Sequence, residues 1–211
     1  MTRLCAESGQ AIVVEDDLLT SPHFLRYMND ALQRYRDEAS VMQVAGYMFP
    51  VELELSEDAL FLPFVGSWGW ATWARAWAHF DPAAGAYEAL KADRKLRRRF
   101  DLNGAYPYFQ MLEMQLRGQV DSWAIRWYLS TFMRDGLTLY PRKSLVENIG
   151  FDGSGVHGDM RPSSGAGRCG GAVSTFPQLG VRPALRDKVY DHLAGMRNLR
   201  ARLAYLIRRG F

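Results

Sequence analysis

Three consecutive acids, Glu15, Asp16 and Asp17, directly follow a short apolar run at residues 11–14. The run reads Ala-Ile-Val-Val, and this pattern predicts a strand buried on both faces, as in a parallel sheet. Ligands of open α/β sheets bind beyond the carboxyl ends of such strands. Because adjacent carboxylates repel one another, the sequence predicts a positive partner here, most simply a divalent cation with oxygen ligands.

The same acids also fit a plainer role at the start of a helix. Acidic side chains complement a helix N-terminus. Thr20 and Ser21 are typical caps, and Pro22 suits the first helical position. Spacing alone leaves both interpretations open.

The periodicity after the acids predicts a βαβ unit. A helix is expected at 22–38, and a strand at 41–47 follows it before Pro50. The apolar face of this helix carries Phe24, Met28, Leu32 and Tyr35. This order of elements places the acids at one edge of a sheet. Residues 51–62 are predicted to be loop.

Four of the six tryptophans lie close together, at Trp68, Trp70, Trp73 and Trp77. The spacing of the last three predicts a helix whose aromatic stripe packs in the core. Trp68 and Gly69 precede that helix in a turn, where glycine lets the backbone approach a ligand closely. Because the C–H faces of sugars stack on indole, these two residues are candidates for the wall of a binding site.

Two later positions offer further chemistry. Asp121 precedes a helical pattern with Trp123 and Trp127 on one face, so it fits either a helix cap or a catalytic acid. His157 lies in the glycine-rich stretch 150–158, which lacks the lysine of a P-loop and the setting of a dinucleotide fingerprint. A lone loop histidine is usually a surface residue, but it is also a metal ligand that a loop can bring to the acids.

A predicted helix at 87–100 ends in a basic run, formed by Arg94, Lys95, Arg97, Arg98 and Arg99. The run fits a solvated face that complements the helix C-terminus, and anion binding is the alternative. A short helix at 107–117 is stopped by Gly118. Residues 136–140 and 144–148 are predicted to be extended.

Composition favours one sizeable globular domain. The chain has 211 residues, a hydrophobic fraction of 48% and a formal net charge of +3, which is too small to argue for nucleic acid. No nucleic-acid-binding module is recognisable, so we expect no nucleic-acid partner. Cys5 and Cys169 have neither metal-ligand spacing nor a disulfide framework, which favours a reducing cytoplasm. No long apolar run or secretory signal is present.

The C-terminal region divides into two predicted parts after a main domain at 1–160. Residues 161–180 are rich in Gly, Ser and Arg and are expected to be flexible. Residues 181–211 hold eight Arg or Lys against two Asp and predict a basic amphipathic helix. Its apolar stripe comprises Leu185, Val189, Leu193, Met196, Leu199, Leu203, Leu206 and Ile207. This helix either lies on anionic lipid, at the inner membrane, or docks on the domain.

Taken together, the sequence resembles bacterial glycosyltransferases of the GT-A fold, in the broad family 2 group and distantly like N-acetylglucosaminyltransferase I. The resemblance covers roughly residues 8–160. It rests on four blocks in a fixed order: VVEDDL at 13–18 with SPHFLRYMNDAL after it, SWGWATWARAW at 67–77, DSWAIRW at 121–127 and PRKSLVENIGFDGSGVHG at 141–158.

The resemblance implies an α/β fold with a mixed sheet flanked by helices, and a metal-dependent, inverting transfer from a nucleotide-diphosphate sugar. Glu15, Asp16 and Asp17 look like the DXD-type motif that binds this donor. The final acid, Asp17, would hold Mn²⁺ or Mg²⁺, and His157 would assist. Asp121 matches the general base that accepts the proton of the acceptor hydroxyl.

The resemblance further implies that Trp68, Gly69 and Trp70 lie near the donor or acceptor sugar. The acceptor would be a glycan hydroxyl in bacterial surface polysaccharide synthesis. The strands that hold the nucleoside in such enzymes have no counterpart in this sequence, so we expect a GT-A domain that is truncated at its N-terminus. The alternative is an inactive fragment that serves as a carbohydrate- or partner-binding module.

Overall fold

The computed structural model describes residues 1–150 and 170–208, with side chains described up to residue 197. Within these residues the helices are α1 (Thr2–Ser8), α2 (Phe24–Arg34), α3 (Ala74–Trp77), α4 (Tyr87–Ala92), α5 (Arg94–Phe100), α6 (Tyr108–Leu116), α7 (Trp123–Phe132) and α8 (Pro183–Arg208). The strands are β1 (Gln10–Val13), β2 (Leu18–Thr20), β3 (Val41–Ala45), β4 (Ala59–Leu62), β5 (Trp70–Trp73), β6 (Leu137–Pro141) and β7 (Val146–Asn148).

A mixed five-stranded sheet organises the chain, in the order β1-β5-β3-β6-β4. Strands β3 and β6 are parallel, and the other neighbours are antiparallel. Because β1 and β3 are both antiparallel to β5, they run in the same direction. The predicted βαβ unit is therefore present, with β5 inserted between its two strands. The general α/β class with a mixed sheet flanked by helices is confirmed.

The first strand differs from its prediction. β1 lies at one edge of the described sheet, its residues are only half-buried, and its neighbour β5 is antiparallel. Val14, which ends the apolar run, is 45% exposed. A doubly buried parallel strand was therefore the wrong prediction, because a four-residue apolar run does not distinguish a central strand from an edge strand covered on one side.

Helix α2 confirms its predicted apolar face. Phe24, Met28, Leu32 and Tyr35 are all buried against the sheet. The helix begins at Phe24 with His23 as its N-cap, later than the predicted caps Thr20 and Ser21 and the predicted first helical residue Pro22. The Ser21 hydroxyl accepts the His23 N–H (3.2 Å) in the turn before the helix. The predicted strand at 41–47 is also confirmed, since β3 lies within it and is fully buried.

The tryptophan block is a strand where a helix was predicted. β5 occupies residues 70–73, and only the single turn α3 follows it. Its side chains alternate: Trp70 joins the core on one face of the sheet, and Trp73 joins the core on the α2 side. The prediction failed because spacings of three and four residues also occur by chance in a strand buried on both faces, where polarity does not alternate.

Two other segments also depart from their predictions. The predicted loop at 51–62 contains β4, which is fully buried at the other edge of the sheet. The predicted helix at 87–100 is split into α4 and α5, because the Asp93 carboxylate accepts the backbone N–H groups of Lys95 (2.8 Å) and Leu96 (3.0 Å) and so begins a new helix. The predicted helix at 107–117 is confirmed as α6, and the extended segments are confirmed as β6 and β7.

The first half of α8 docks on the domain. Its residues Leu185, Val189, Tyr190 and Leu193 are buried in the same core cluster as Phe64 and Phe100. For this half of the helix, docking is the correct alternative. Among the helices of residues 1–150 and 170–208, none has the length and apolar composition that crossing a membrane requires.

Residues 170–177 are tied to the domain, although they belong to the segment that was expected to be flexible. Tyr35 donates a hydrogen bond to the Pro177 carbonyl (2.9 Å). The Asp58 carboxylate accepts hydrogen bonds from both the backbone and the hydroxyl groups of Ser174 and Thr175, at 2.8–3.0 Å. Arg142 lies 3.7 Å from the same carboxylate. This part of the segment is therefore packed against the domain.

We predict that Asp58→Asn removes about 1 to 2 kcal/mol from the free energy of unfolding at neutral pH. Burial tends to raise the pKa of Asp58, but the hydrogen bonds from Thr175 and Ser174 outweigh it and lower the pKa to about 2 from 3.8. Since the folded pKa lies below the unfolded one, the stabilisation is present above pH 3.8 and disappears as the pH falls toward 2. Urea denaturation across this range measures the effect.

The matched control is Glu54→Gln, since the Glu54 side chain is 95% exposed. This variant should differ little from the parent at any pH. An Asp58→Asn variant that is as stable as the parent at neutral pH would contradict the proposed clamp.

Candidate functional site

The three acids lie at an edge of the sheet, between β1 and the short strand β2. β2 pairs with β7 in a separate antiparallel ribbon, in which Leu18 faces Asn148. Because β2 separates the acids from α2, no acid lies in the first turn of that helix. The helix-capping interpretation of the acids is therefore wrong.

The ribbon fixes the position of the Asp17 side chain. Asn148 donates a hydrogen bond from Nδ2 to Asp17 Oδ2 (3.1 Å), and the Asp17 carbonyl accepts the Ile149 N–H (2.9 Å). Asn148 is itself held, because its Oδ1 accepts the Gly150 N–H (2.8 Å). The second carboxylate oxygen, Asp17 Oδ1, is buried and has no hydrogen-bond partner among the residues that the structure describes.

A buried carboxylate oxygen without a partner is costly, and it suits a cation or a donor from a ligand. The neighbouring acids are placed differently: Asp16 is exposed, and Glu15 is half-buried with its carbonyl accepting the Leu18 N–H (3.3 Å). Within the described ranges no cluster of three or more His, Cys, Asp or Glu side chains could hold a metal. His157, the predicted loop ligand, lies outside the described residues.

Trp68 and Gly69 come near this edge immediately before β5. The Trp68 ring is half-buried and stands edge-on to Tyr47, with 4.6 Å between ring centroids. Burial raises the pKa of the Tyr47 hydroxyl, which therefore stays neutral at ordinary pH. The predicted role of Trp68 in a binding wall stays a prediction.

The backbone at position 69 requires glycine. Its φ is +57°, and an added Cβ would lie 2.8 Å from Val146 Cγ1 and 3.1 Å from Phe24 Cε2. Its carbonyl accepts the Gly46 N–H (2.6 Å), so the backbones of two glycines approach each other closely. Gly69 therefore links β3 and β5 to α2 and β7.

Trp70 lies in the core and not on an open wall. Its side chain is 0% exposed, and its ring stacks on Trp123 with 5.1 Å between centroids. The indole Nε1 is buried without a hydrogen-bond partner in the described part of the chain. In this structure a sugar ring has no access to the Trp70 side chain.

Asp121 is exposed and is not the cap of α7. Ser122 occupies the N-cap position, and no side chain caps the helix there. Asp121 precedes Trp123, which stacks on Trp70, and Trp70 faces Val13 at the end of β1. These contacts connect the start of α7 to the pairing of β1 with β5.

Sequence reasoning missed two buried polar residues, Gln43 and Asn148. Gln43 is 0% exposed in the middle of β3; its side chain donates to the Gly66 carbonyl and accepts the Trp127 Nε1–H at 2.7 Å. A single amide inside an apolar strand was the signal that could have found Gln43. Asn148 gave no local signal, because its partner Asp17 lies 131 residues away in sequence.

Comparison with known protein families finds none whose model matches the chain. Comparison with curated proteins finds no match either.

We predict that Gly69→Ala lowers the free energy of unfolding by about 2 to 4 kcal/mol, because the methyl group adds a steric clash to the cost of a left-handed backbone. Gly118→Ala is the matched control, since Gly118 has a φ of +70° and open space around it. The control should lose only about 1 to 2 kcal/mol. Urea denaturation compares the two, and equal losses would show that the contact with Val146 and Phe24 is unimportant.

We also predict that Asn148→Ala costs about 1 to 3 kcal/mol, because Asp17 Oδ2 and the Gly150 N–H lose their partner. Thermal unfolding measures the loss. The control is Asn29→Ala, whose exposed side chain bonds only the Leu25 carbonyl within α2 (2.7 Å). That change should stay within about 0.5 kcal/mol. If both variants unfold alike, Asn148 does not hold the acid.

Proposed function

We propose that the chain is a metal-dependent, inverting glycosyltransferase that moves a sugar from a nucleotide-diphosphate donor to a glycan hydroxyl. The observation that carries the proposal is Asp17 Oδ1, a buried acceptor without a described partner, at the edge of an α/β sheet where ligands bind. The resemblance of four sequence blocks to GT-A enzymes supports the same assignment. The donor site would comprise Glu15, Asp16 and Asp17.

The buried oxygen Asp17 Oδ1, which has no partner among the described residues, supports a divalent cation at this position. Asn148 donates to one carboxylate oxygen of Asp17 and leaves the other without a described partner, and this is how an outer residue would orient a metal ligand. Mn²⁺ or Mg²⁺ bound there would stabilise the negative charge of the leaving diphosphate. In our proposal His157 is a second contact to the metal or the diphosphate.

Asp121 is the proposed general base. The Asp121 carboxylate is exposed, and it precedes a helix anchored by Trp123 and Trp127 in the aromatic core. It would accept the proton of the acceptor hydroxyl as that oxygen attacks the sugar carbon and the diphosphate leaves. Trp68 and Gly69 would line the sugar site. We further propose that this transfer belongs to surface polysaccharide synthesis in the cytoplasm and that α8 lies near the inner membrane.

The test is a thermal shift of the whole chain with Mn²⁺ and a panel of nucleoside diphosphates. A ligand at about a hundred times its dissociation constant adds about 2.7 kcal/mol, which is several degrees at this size. We expect a Mn²⁺-dependent shift with one diphosphate in the parent protein. Asp17→Asn should abolish it, because a neutral amide of the same shape keeps the Asn148 contact and loses the charge.

Two further variants sharpen the experiment. Asp37→Asn, at an exposed acid elsewhere, should keep the shift. Asp121→Asn should also keep the shift but should slow transfer of the donor sugar by about 10²- to 10⁴-fold. A folded parent protein that shifts with no diphosphate would overturn the enzyme proposal and favour the binding module. An undiminished shift in Asp17→Asn would instead place the metal elsewhere.

A further inference from the structure

A basic pocket lies away from the acids, between α5, the 3₁₀ turn at Leu102–Gly104 and α6. Its volume is about 390 Å³, and its lining comprises Arg94, Arg97, Arg98, Asp101, Asn103, Gly104 and Phe109. Pockets of roughly 300 Å³ or more accommodate small ligands. Three arginines and one aspartate line this space, so the pocket carries excess positive charge.

The arginines of this pocket make no close ion pair in the described part of the chain, although Arg97 interacts electrostatically with the Asp101 and Asp93 carboxylates. Arg94, Arg97 and Arg98 take part in no ion pair there, whereas their neighbour Arg99 pairs with Asp135 at 3.0 Å. The Asp101 carboxylate already accepts the Phe109 N–H at 2.7 Å. The Arg97 guanidinium lies over the Phe109 ring, 5.4 Å from its centroid, which holds this side chain on the pocket wall.

The turn that forms the floor of the pocket has an unusual backbone. Leu102, Asn103 and Gly104 are consecutive residues with positive φ, at 51°, 59° and 96°. The first two are not glycine, and such strained residues cluster at ligand sites. A fourth guanidinium, from Arg197 on α8, donates to the Gly104 carbonyl at 2.8 Å. This hydrogen bond ties the turn to α8.

We propose that this pocket binds a phosphate group. Arginine presents a planar fork of donors that matches phosphate oxygens, and the three arginines that line this open pocket supply the opposite charge. The phosphate could belong to a soluble polyphosphate or to the headgroup of an anionic lipid, and both share this chemistry. The inference is independent of the proposed transferase activity, because it uses none of the residues placed at the acidic edge.

The test measures two probes on the full chain. Calorimetry measures the affinity for inorganic pyrophosphate without metal, and co-sedimentation measures binding to phosphatidylcholine vesicles with and without phosphatidylglycerol. The variant is Arg97→Gln with Arg98→Gln. The matched control, Arg3→Gln with Arg36→Gln, removes the same charge at exposed positions that pair with Glu7 and Asp37. Circular dichroism confirms that both double variants are folded.

We expect the affinity for at least one probe to fall about tenfold or more in the pocket variant and to change less than about twofold in the control. Loss of pyrophosphate binding identifies a soluble phosphate, and loss of phosphatidylglycerol binding alone identifies a lipid headgroup. An equal loss of affinity in the two double variants would show that net charge alone causes the effect, and it would overturn the proposal. Absence of binding to both probes by the parent protein would overturn it too.

Discussion

The arrangement of the candidate site depends on one buried amide, the Gln43 side chain in the middle of the sheet. Its two polar atoms are satisfied by two different segments, the Gly66 carbonyl and the Trp127 indole N–H. The first segment continues to Trp68 and Gly69, and the second belongs to the helix that follows Asp121. Leaving either polar atom of a buried amide without a partner costs free energy. The folded state is therefore most stable when both segments are in place.

The tryptophans anchor α7, the helix that follows Asp121, against one face of the sheet. Trp77 contacts Trp127 with 5.0 Å and Trp70 with 6.0 Å between ring centroids. Such large rings bury much surface and pack in restricted geometries. The aromatic cluster therefore determines where α7 begins, and Asp121 lies just before that point. Three of the four tryptophans at 68–77 are therefore core residues, namely Trp70, Trp73 and Trp77. Trp68 is the one of the four that is partly exposed.

Periodicity identified the helix with one buried face, but it was less consistent for strands buried on both faces: β3 was predicted and β5 was not. Helix α2 was found because its apolar residues recur with a helical period against a polar background. β5 was mistaken for a helix, because Trp70, Thr72 and Trp73 are all buried and no alternation of polarity remains.

The candidate site was predictable only in part, for a related reason. The acids were visible as a local motif, but Asn148, which orients Asp17, lies 131 residues later in the sequence. A contact such as that from Asn148 follows from the pairing of β2 with β7, and local periodicity carries no information about which strands will pair.

The geometry at Asp17 also constrains how the proposed enzyme would bind its ligands. Asn148 occupies one carboxylate oxygen, so within the described residues Asp17 offers a cation a single oxygen atom. Divalent cations of this kind need about six oxygen ligands, and Mg²⁺ commonly takes several from water and substrate phosphates. A cation that took several of its ligands from the diphosphate would bind more tightly when the diphosphate is present, and by linkage the diphosphate would bind more tightly with the cation. In our proposal metal and donor therefore bind together, and the hydrogen bond from Asn148 directs the oxygen on which both depend.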